Sequence, residues 1–397
     1  ACVAILQLDD ADYGSRGIDG SSEIDAPSTP GDGAAPAEGG VADAGSAYNE
    51  PRDLSAWDSF DVGALGLSGG FAGAVFDGAH VLFVPFLDEL GNYHGHFVRF
   101  DRNGAFTSAS SWSHFDVTRL NDGGRGFFGA AFDGRYVTFA PARSGLVARY
   151  DSIGLLDAGS SWSFFDLRPG NSGAHDFRGA VGAAGATYLV PFGDTNKLGI
   201  VAARPVDAGG FDAGWSGFNI QSLGSRAAAF TGGAYDGRFV YLVPEANAQV
   251  WRYDTQVPLS TAASWSSYDL LEVLPRLTYF AGAVFDGRYV YFVPEGKGAP
   301  SIIVRYDTLG LFSSAQSWLS VDAKDLPLAP KDFVGGAFDG RYVYLVPSQN
   351  GIALRYDTTL AFGLSTSWTP FDLATVITSV HARGYIGAAF DGEYLYF

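Results

Sequence analysis

The sequence predicts an all-β fold: a seven-bladed β-propeller of four-stranded antiparallel blades, closed by an N-terminal outer strand. Three observations predict it. A segment close to Phe-x-Gly-Ala-x-Phe-Asp-Gly-Arg-Tyr-Val-Tyr-Phe-Val-Pro recurs from Phe71, Phe127, Phe177, Phe230, Phe280, Phe333 and Tyr385. The intervals are 56, 50, 53, 50, 53 and 52 residues, and a period near fifty made only of strand-like pieces means one blade per repeat. A tryptophan keeps the same period, at Trp57, Trp112, Trp162, Trp215, Trp265, Trp318 and Trp368. The first of these precedes any Phe-x-Gly segment, so the chain opens with an orphan outer strand that can complete the last blade and hide its edge.

The elements follow in order within one repeat. Gly282-Ala283-Val284-Phe285 reads as the innermost strand, where small residues fit the crowding around the axis. Asp286-Gly287 reads as a two-residue type I′ hairpin turn, with φ above zero at both positions. Arg288 to Val293 is the second strand, apolar and aromatic on both faces as a sheet between neighbouring blades requires, and Pro294 ends it. Ile303 to Asp307 is the third strand and Ser317 to Val321 the fourth. The third repeat is degenerate, with Gly182-Ala183-Ala184-Gly185 in place of Phe-Asp-Gly-Arg and no Arg-Tyr-Asp around Ala203-Arg204. The seventh stops inside its second strand, at Phe397, so about one strand is expected to be missing there.

Composition narrows the class. Hydrophobic residues make up 47% and the chain holds 53 glycines, as stacked sheets joined by many hairpins require. No apolar run reaches the ~18 residues that cross a membrane. The net charge of -18 excludes nucleic acid, since nothing neutralises phosphates. Residues 8–50 carry ten acids against Arg16 alone. Residues 14–50, rich in Gly, Ala, Ser, Pro and Asp without hydrophobic period, read as a disordered acidic linker. The propeller is expected over 51–397, and residues 1–13 form an N-terminal anchor segment.

That segment holds the lone cysteine, Cys2, so no disulfide framework exists. Ala1-Cys2, the short apolar run Val3-Ala4-Ile5-Leu6 and the acids Asp9-Asp10 resemble the start of a mature bacterial surface lipoprotein. The resemblance implies a lipid on Cys2, an extracellular or outer-surface location, and contact with membrane through that anchor only.

No repeat carries a catalytic signature, and neither a nucleophile elbow nor a phosphate-cradling loop occurs. The repeated Asp (Asp77, Asp133, Asp236, Asp286, Asp339, Asp391) could be read as a carboxylate ring, but Arg135, Arg238, Arg288 and Arg341 follow it and Asp151, Asp254, Asp307 and Asp357 end the third strand at the same propeller end. These read as structural ion pairs. His94-Gly95-His96 with Asp88 and Glu89 lacks a third ligand at diagnostic spacing and reads as a polar loop. No metal or cofactor is expected.

The opposite end carries the variable connections, where binding usually sits. Its polar residues include Arg125, Asp176, Arg276, Lys331, Asp332 and His381, and the expected ligand site is Glu245, Glu295, His175 and Arg383. The function expected is a binding or scaffold module that turns this face away from the cell toward a glycan or protein. The alternatives are an extracellular polysaccharide hydrolase or lyase, and a self-assembling structural subunit.

Overall fold

The computed structural model describes residues 2–7, 57–170, 173–192, 199–274, 276, 279–375, 377 and 383–397. The expected linker 14–50 and the boundary at residue 51 lie outside them. The structure is a β-propeller of four-stranded antiparallel sheets.

Six blades are each one contiguous four-strand meander. Blade one comprises β3 (Phe71–Phe76), β4 (His80–Pro85), β5 (His96–Asp101) and β6 (Trp112–Asp116). Blade two comprises β7 (Phe127–Phe132), β8 (Tyr136–Pro141), β9 (Leu146–Asp151) and β10 (Trp162–Asp166). Blades three to six repeat the plan with β11–β14, β15–β18, β19–β22 and β23–β26. These begin at Phe177, Phe230, Tyr279 and Phe333 and end at Asn219, Asp269, Asp322 and Asp372.

The expectation of seven blades is corrected to six. The remaining four-stranded sheet is composite, in the order β2-β1-β28-β27. The seventh repeat supplies only its inner half, β27 (Ala389–Phe390) and β28 (Tyr394–Tyr396). The outer half comes from β1 (Cys2–Gln7) and β2 (Trp57–Asp61). β2 is outermost, as the orphan tryptophan implied, but it does not touch the seventh repeat's ladder. The segment expected as an anchor lies between them, with Ile5 opposite Tyr396 and Ala4 opposite Ser59.

Side chains from facing sheets form the core. Val284, Tyr291 and Val293 of blade five pack with Val343, Leu345 and Tyr356 of blade six. Phe60 of β2 packs with Val81 and Phe83 of blade one, and Tyr396 joins the same cluster, which closes the circle. Most of these side chains are fully buried, each worth about 1.5–3 kcal/mol relative to exposure.

Each innermost strand of the six blades carries a one-residue β-bulge between its Phe and the residue after its Gly. Those glycines make a ring. A Cβ on Gly129 would lie 3.1 Å from Gly179 Cα, one on Gly335 would lie 2.9 Å from Gly387 Cα, and one on Gly387 would lie 2.9 Å from Gly73 Cα. The small-residue pattern read from sequence therefore reflects backbone packed on backbone around the axis.

Two local readings are corrected. The Asp-Gly turn is not type I′ in most blades. At Asp286-Gly287 only the glycine takes positive φ, at 99°. The aspartate instead uses its side chain, whose Oδ1 accepts the N–H groups of Arg288 at 2.8 Å and Tyr289 at 2.6 Å. Two successive positive-φ residues occur at Ala184 (48°) and Gly185 (71°), in the degenerate third repeat where no aspartate is present. The proline of the second strand also does not stop it: β20 runs Tyr289–Glu295, through Pro294.

Candidate functional site

The two ends of the propeller differ chemically. At the turn end, the repeated charges neutralise one another. Arg135 Nη2 lies 2.8 Å from Asp151 Oδ2, Arg238 Nη2 2.7 Å from Asp254, Arg288 Nη2 2.8 Å from Asp307 and Arg341 Nη2 2.8 Å from Asp357. Each pair joins the second and third strands of one blade. The Arg238 and Arg288 hydrogen bonds hold the Asp254 and Asp307 carboxyls below the usual carboxylate range. Three of the turn aspartates are also spent: Tyr241 Oη donates to Asp236 at 2.6 Å, Tyr291 Oη to Asp286 at 2.6 Å and Tyr396 Oη to Asp391 at 2.8 Å. A carboxylate held by two backbone donors and a buried tyrosine belongs to the turn. The structural reading of this end follows.

The loop-rich end is where strand direction brings the four expected residues. They do not converge. Glu245 and Glu295 meet through Lys297, whose Nζ lies 2.7 Å from the first and 2.9 Å from the second. Burial alone would lower the Lys297 ammonium, but the two glutamates outweigh it and raise it. His175 stands between blades two and three, its carbonyl accepting the Gly145 N–H at 3.3 Å. Arg383 is exposed at the seam before β27. Of the other polar residues, Arg276 pairs with Asp322 at 3.4 Å and Arg125 with Asp122. His381 lies outside the described residues.

Arg383 borders a cavity of about 280 Å³ between the closing sheet and blade one. Its apolar wall includes Phe71, Phe86, Leu87, Ile386 and Phe397. Gly73 and Gly387 of the axial ring form its floor, so the cavity descends toward the axis. Among the described residues Arg383 and Tyr385 are its only titratable lining, and these two do not make a carboxylate pair or a histidine–carboxylate pair for acid–base work.

The wall continues as an aromatic and cationic arc that sequence reasoning missed. Phe86 meets Phe128 edge-on at 5.3 Å between ring centres. The Arg178 guanidinium lies 3.6 Å from the Phe192 ring centre and 5.5 Å from that of Phe128. The signal was present. The position after the first Phe of each repeat reads Ala72, Phe128, Arg178, Thr231, Ala281, Val334 and Ile386, and the position after the Val-Pro or its equivalent reads Phe86, Ala142, Phe192, Glu245, Glu295 and Ser348. These two positions vary where their neighbours repeat, and both lie at the loop-rich ends of their strands.

The His94-Gly95-His96 loop is structural. The His94 carbonyl neighbour, Gly70 O, lies 3.0 Å from Nε2, which therefore donates, while Nδ1 accepts the His96 N–H at 3.3 Å. Burial lowers the His94 imidazole's affinity for a second proton. No group of three or more His, Cys, Asp or Glu poised for a metal ion occurs among the described residues.

Cys2 lies opposite Asp61 in the β1–β2 ladder. Asp61 ends an outer strand, so the Cys2 backbone sits at the loop-rich end, the same end as Arg383.

No family model matches the chain, and no curated protein matches it. Among solved structures it is similar to a streptogramin B lyase, with 12% identity, a TM-score of 0.55, and coverage of 83% of this chain and 94% of that one. A virginiamycin B lyase from Staphylococcus aureus gives 11% identity and a TM-score of 0.53 over 83% and 94% of the two chains. PorZ, a bacterial surface component of the type-IX secretion system of Porphyromonas gingivalis, gives 13% identity and a TM-score of 0.48 over 82% of this chain and 35% of that one. At these identities the likeness is one of fold, and the fold is a propeller.

Proposed function

We propose that this propeller is a binding module whose ligand presents an anionic group beside a sugar or other apolar face, and that it docks at the mouth between the closing sheet and blade three. The observation that carries the reading is the cavity of about 280 Å³ with an exposed guanidinium, Arg383, at its rim and aromatic rings on its wall. Aromatic faces stack on sugar rings, and a guanidinium takes a carboxylate or sulfate in bidentate fashion. Acidic saccharides combine both features. Glu245 and Glu295, tied up by Lys297, lie on the far side of the mouth and would repel such a ligand less than free carboxylates.

Display at the outer cell surface through a lipid on Cys2 is part of the same proposal and rests on the resemblance of Ala1-Cys2-Val3-Ala4-Ile5-Leu6 to lipoprotein segments. With Cys2 at the loop-rich end, a lipid there would hold the mouth toward the bilayer. The ligand would then be met on the envelope side.

A glycan array followed by titration tests the site. Arg383→Ala and Phe86→Ala should each weaken binding of an acidic glycan by about tenfold or more, as loss of a charge-assisted or stacking contact does. Asp286→Ala and Asp339→Ala should leave affinity unchanged in protein that stays folded. The reverse pattern would move the site to the turn end.

A further inference from the structure

Most guanidinium groups that stack on a ring in this chain also have their edges engaged. Those of Arg238 and Arg288 lie over Phe239 and Tyr289 and pair with Asp254 and Asp307. Arg252 and Arg305 donate to the Tyr306 and Tyr356 hydroxyls, each at 3.3 Å. Arg204 donates to the Gly209 and Gly210 carbonyls at 3.0 and 2.9 Å. Three stacked arginines have no hydrogen bond or ion pair among the described residues: Arg149, Arg178 and Arg355. Arg149 and Arg355 belong to Arg-Tyr-Asp segments, on the third strands of their blades. Arg178 instead is the second residue of β11 (Phe177–Ala183), the innermost strand of blade three, and stands at the loop-rich end.

The fold does not ask for a cation there. The same position in the other repeats holds Ala72, Phe128, Thr231, Ala281, Val334 and Ile386. The neighbouring rings fix the plane of the Arg178 guanidinium, with Phe192 at 3.6 Å and Phe128 of blade two at 5.5 Å. A guanidinium held by stacking presents its N–H groups edge-on, in the fork that matches a carboxylate or sulfate, and loses little freedom when it binds one. Arg178, Phe128 and Phe192 are each partly exposed.

This arc is continuous with the cavity. Phe86 lines the cavity, its ring lies 5.3 Å from that of Phe128, and Phe128 in turn lies 5.5 Å from the Arg178 guanidinium. Arg383 precedes β27 of the closing sheet, so blades one and two separate it from Arg178 around the ring. Neither guanidinium has an anionic partner among the described residues. Between them lie aromatic faces, the surface on which sugar rings stack.

We propose that Arg178 is a second anion subsite of the mouth, and that the ligand is an acidic oligosaccharide with carboxylate or sulfate groups on separate sugar residues, one at Arg383 and one at Arg178. The inference rests on the reading of the mouth as an acidic-glycan site and adds to it a minimum length and a second charge. Phe86 and Phe128 carry the sugar faces between the two charges. A ligand with a single anion leaves one guanidinium unanswered.

Calorimetric titration of the full chain tests this with two series of probes. The carboxylate series is galacturonic acid and its tetramer; the sulfate series is galactose 4-sulfate and a carrageenan tetrasaccharide. The readout is the ratio of the short and long probes' dissociation constants within a series. In the native chain the long probe should bind about tenfold or more tightly, as one further charge-assisted contact gives. Arg178→Gln should shrink that ratio by about the same factor, and Arg178→Lys, which keeps the charge but not the fork, should restore only part of it. Arg383→Ala should weaken both probes. The series that shows the Arg178-dependent gain assigns carboxylate or sulfate. A ratio that Arg178→Gln leaves unchanged would overturn the inference; one anion shared by both arginines would give that result, since short and long probes would weaken alike. If Arg178→Gln does not fold, the ratio in Arg178→Lys decides in the same way. If Arg383→Ala weakens no probe, or if no probe binds, the reading of the mouth itself fails and this inference with it.

Discussion

Gly335 shows most directly how the ring is held, and replacing it with alanine separates two costs. Gly335 has φ of +80°, and an added Cβ would lie 2.9 Å from Gly387 Cα and 3.3 Å from Gly387 N. Those atoms are backbone and cannot rotate aside. Positive φ costs an L-residue about 1–2 kcal/mol, and overpacking against a rigid neighbour adds about 1–3 kcal/mol. The sum for Gly335→Ala is about 2–5 kcal/mol. Gly340 provides the control: its φ is +104°, and a Cβ there meets nothing within 4 Å. Gly340→Ala should therefore cost about 1–2 kcal/mol, the strain alone. Urea unfolding followed by tryptophan fluorescence reads both. Equal destabilisation of the two variants would mean that the ring glycines are present for turn conformation only, and the close-packed axis would be wrong.

Further outcomes follow from the same structure. Trp57→Ala should cost about 3–5 kcal/mol, as loss of a buried indole does, if β2 closes the ring; an unchanged melting temperature counts against that closure. Arg305→Met should cost about 1–2 kcal/mol, because it removes the cation between two rings, whereas Arg288→Met, which breaks an exposed pair, should barely move the melting curve; the opposite ranking would refute the division of roles. The Asp254 and Asp307 carboxyls are lowered by Arg238 and Arg288. Their stabilisation is thus complete above the unfolded value of about 3.9 and is lost as pH falls through the folded values. Asp254→Asn with Asp307→Asn should flatten the loss of stability as pH falls below about 4; an unaltered acid slope would show that these pairs are not coupled to folding.

Most of the blade was legible in the residues themselves. The Gly-Ala-x-Phe, Asp-Gly and Arg-Tyr-Asp pieces placed four strands per repeat to within three residues, because strand period and turn chemistry act locally. The Arg135–Asp151 type of pair could be anticipated because both residues recur in fixed register at one end. The arginine of Arg-Tyr-Asp could not be assigned from one repeat, since its second ring, such as Phe312 over Arg252 at 4.1 Å, belongs to the next blade. The loop-rich end could be told from the turn end by the variability of its connections. Its residues were chosen for charge, however, and the arc of Phe86, Phe128 and Phe192 was overlooked because phenylalanine is common in every repeat.

By itself the sequence determined the blade: its strands, where its turns fall and its ion pairs, all of which depend on neighbours a few tens of residues apart. Only the tertiary structure decided how the circle closes. The strand that fills the last sheet, Cys2–Gln7, shares no motif with the strands it replaces. Its place is set by an open ladder between β28 and β2, and ladder groups pair through backbone atoms that every sequence carries. The same holds for the cavity beside Arg383, which exists because residues from both ends of the ring, Phe71 and Phe397, are brought side by side.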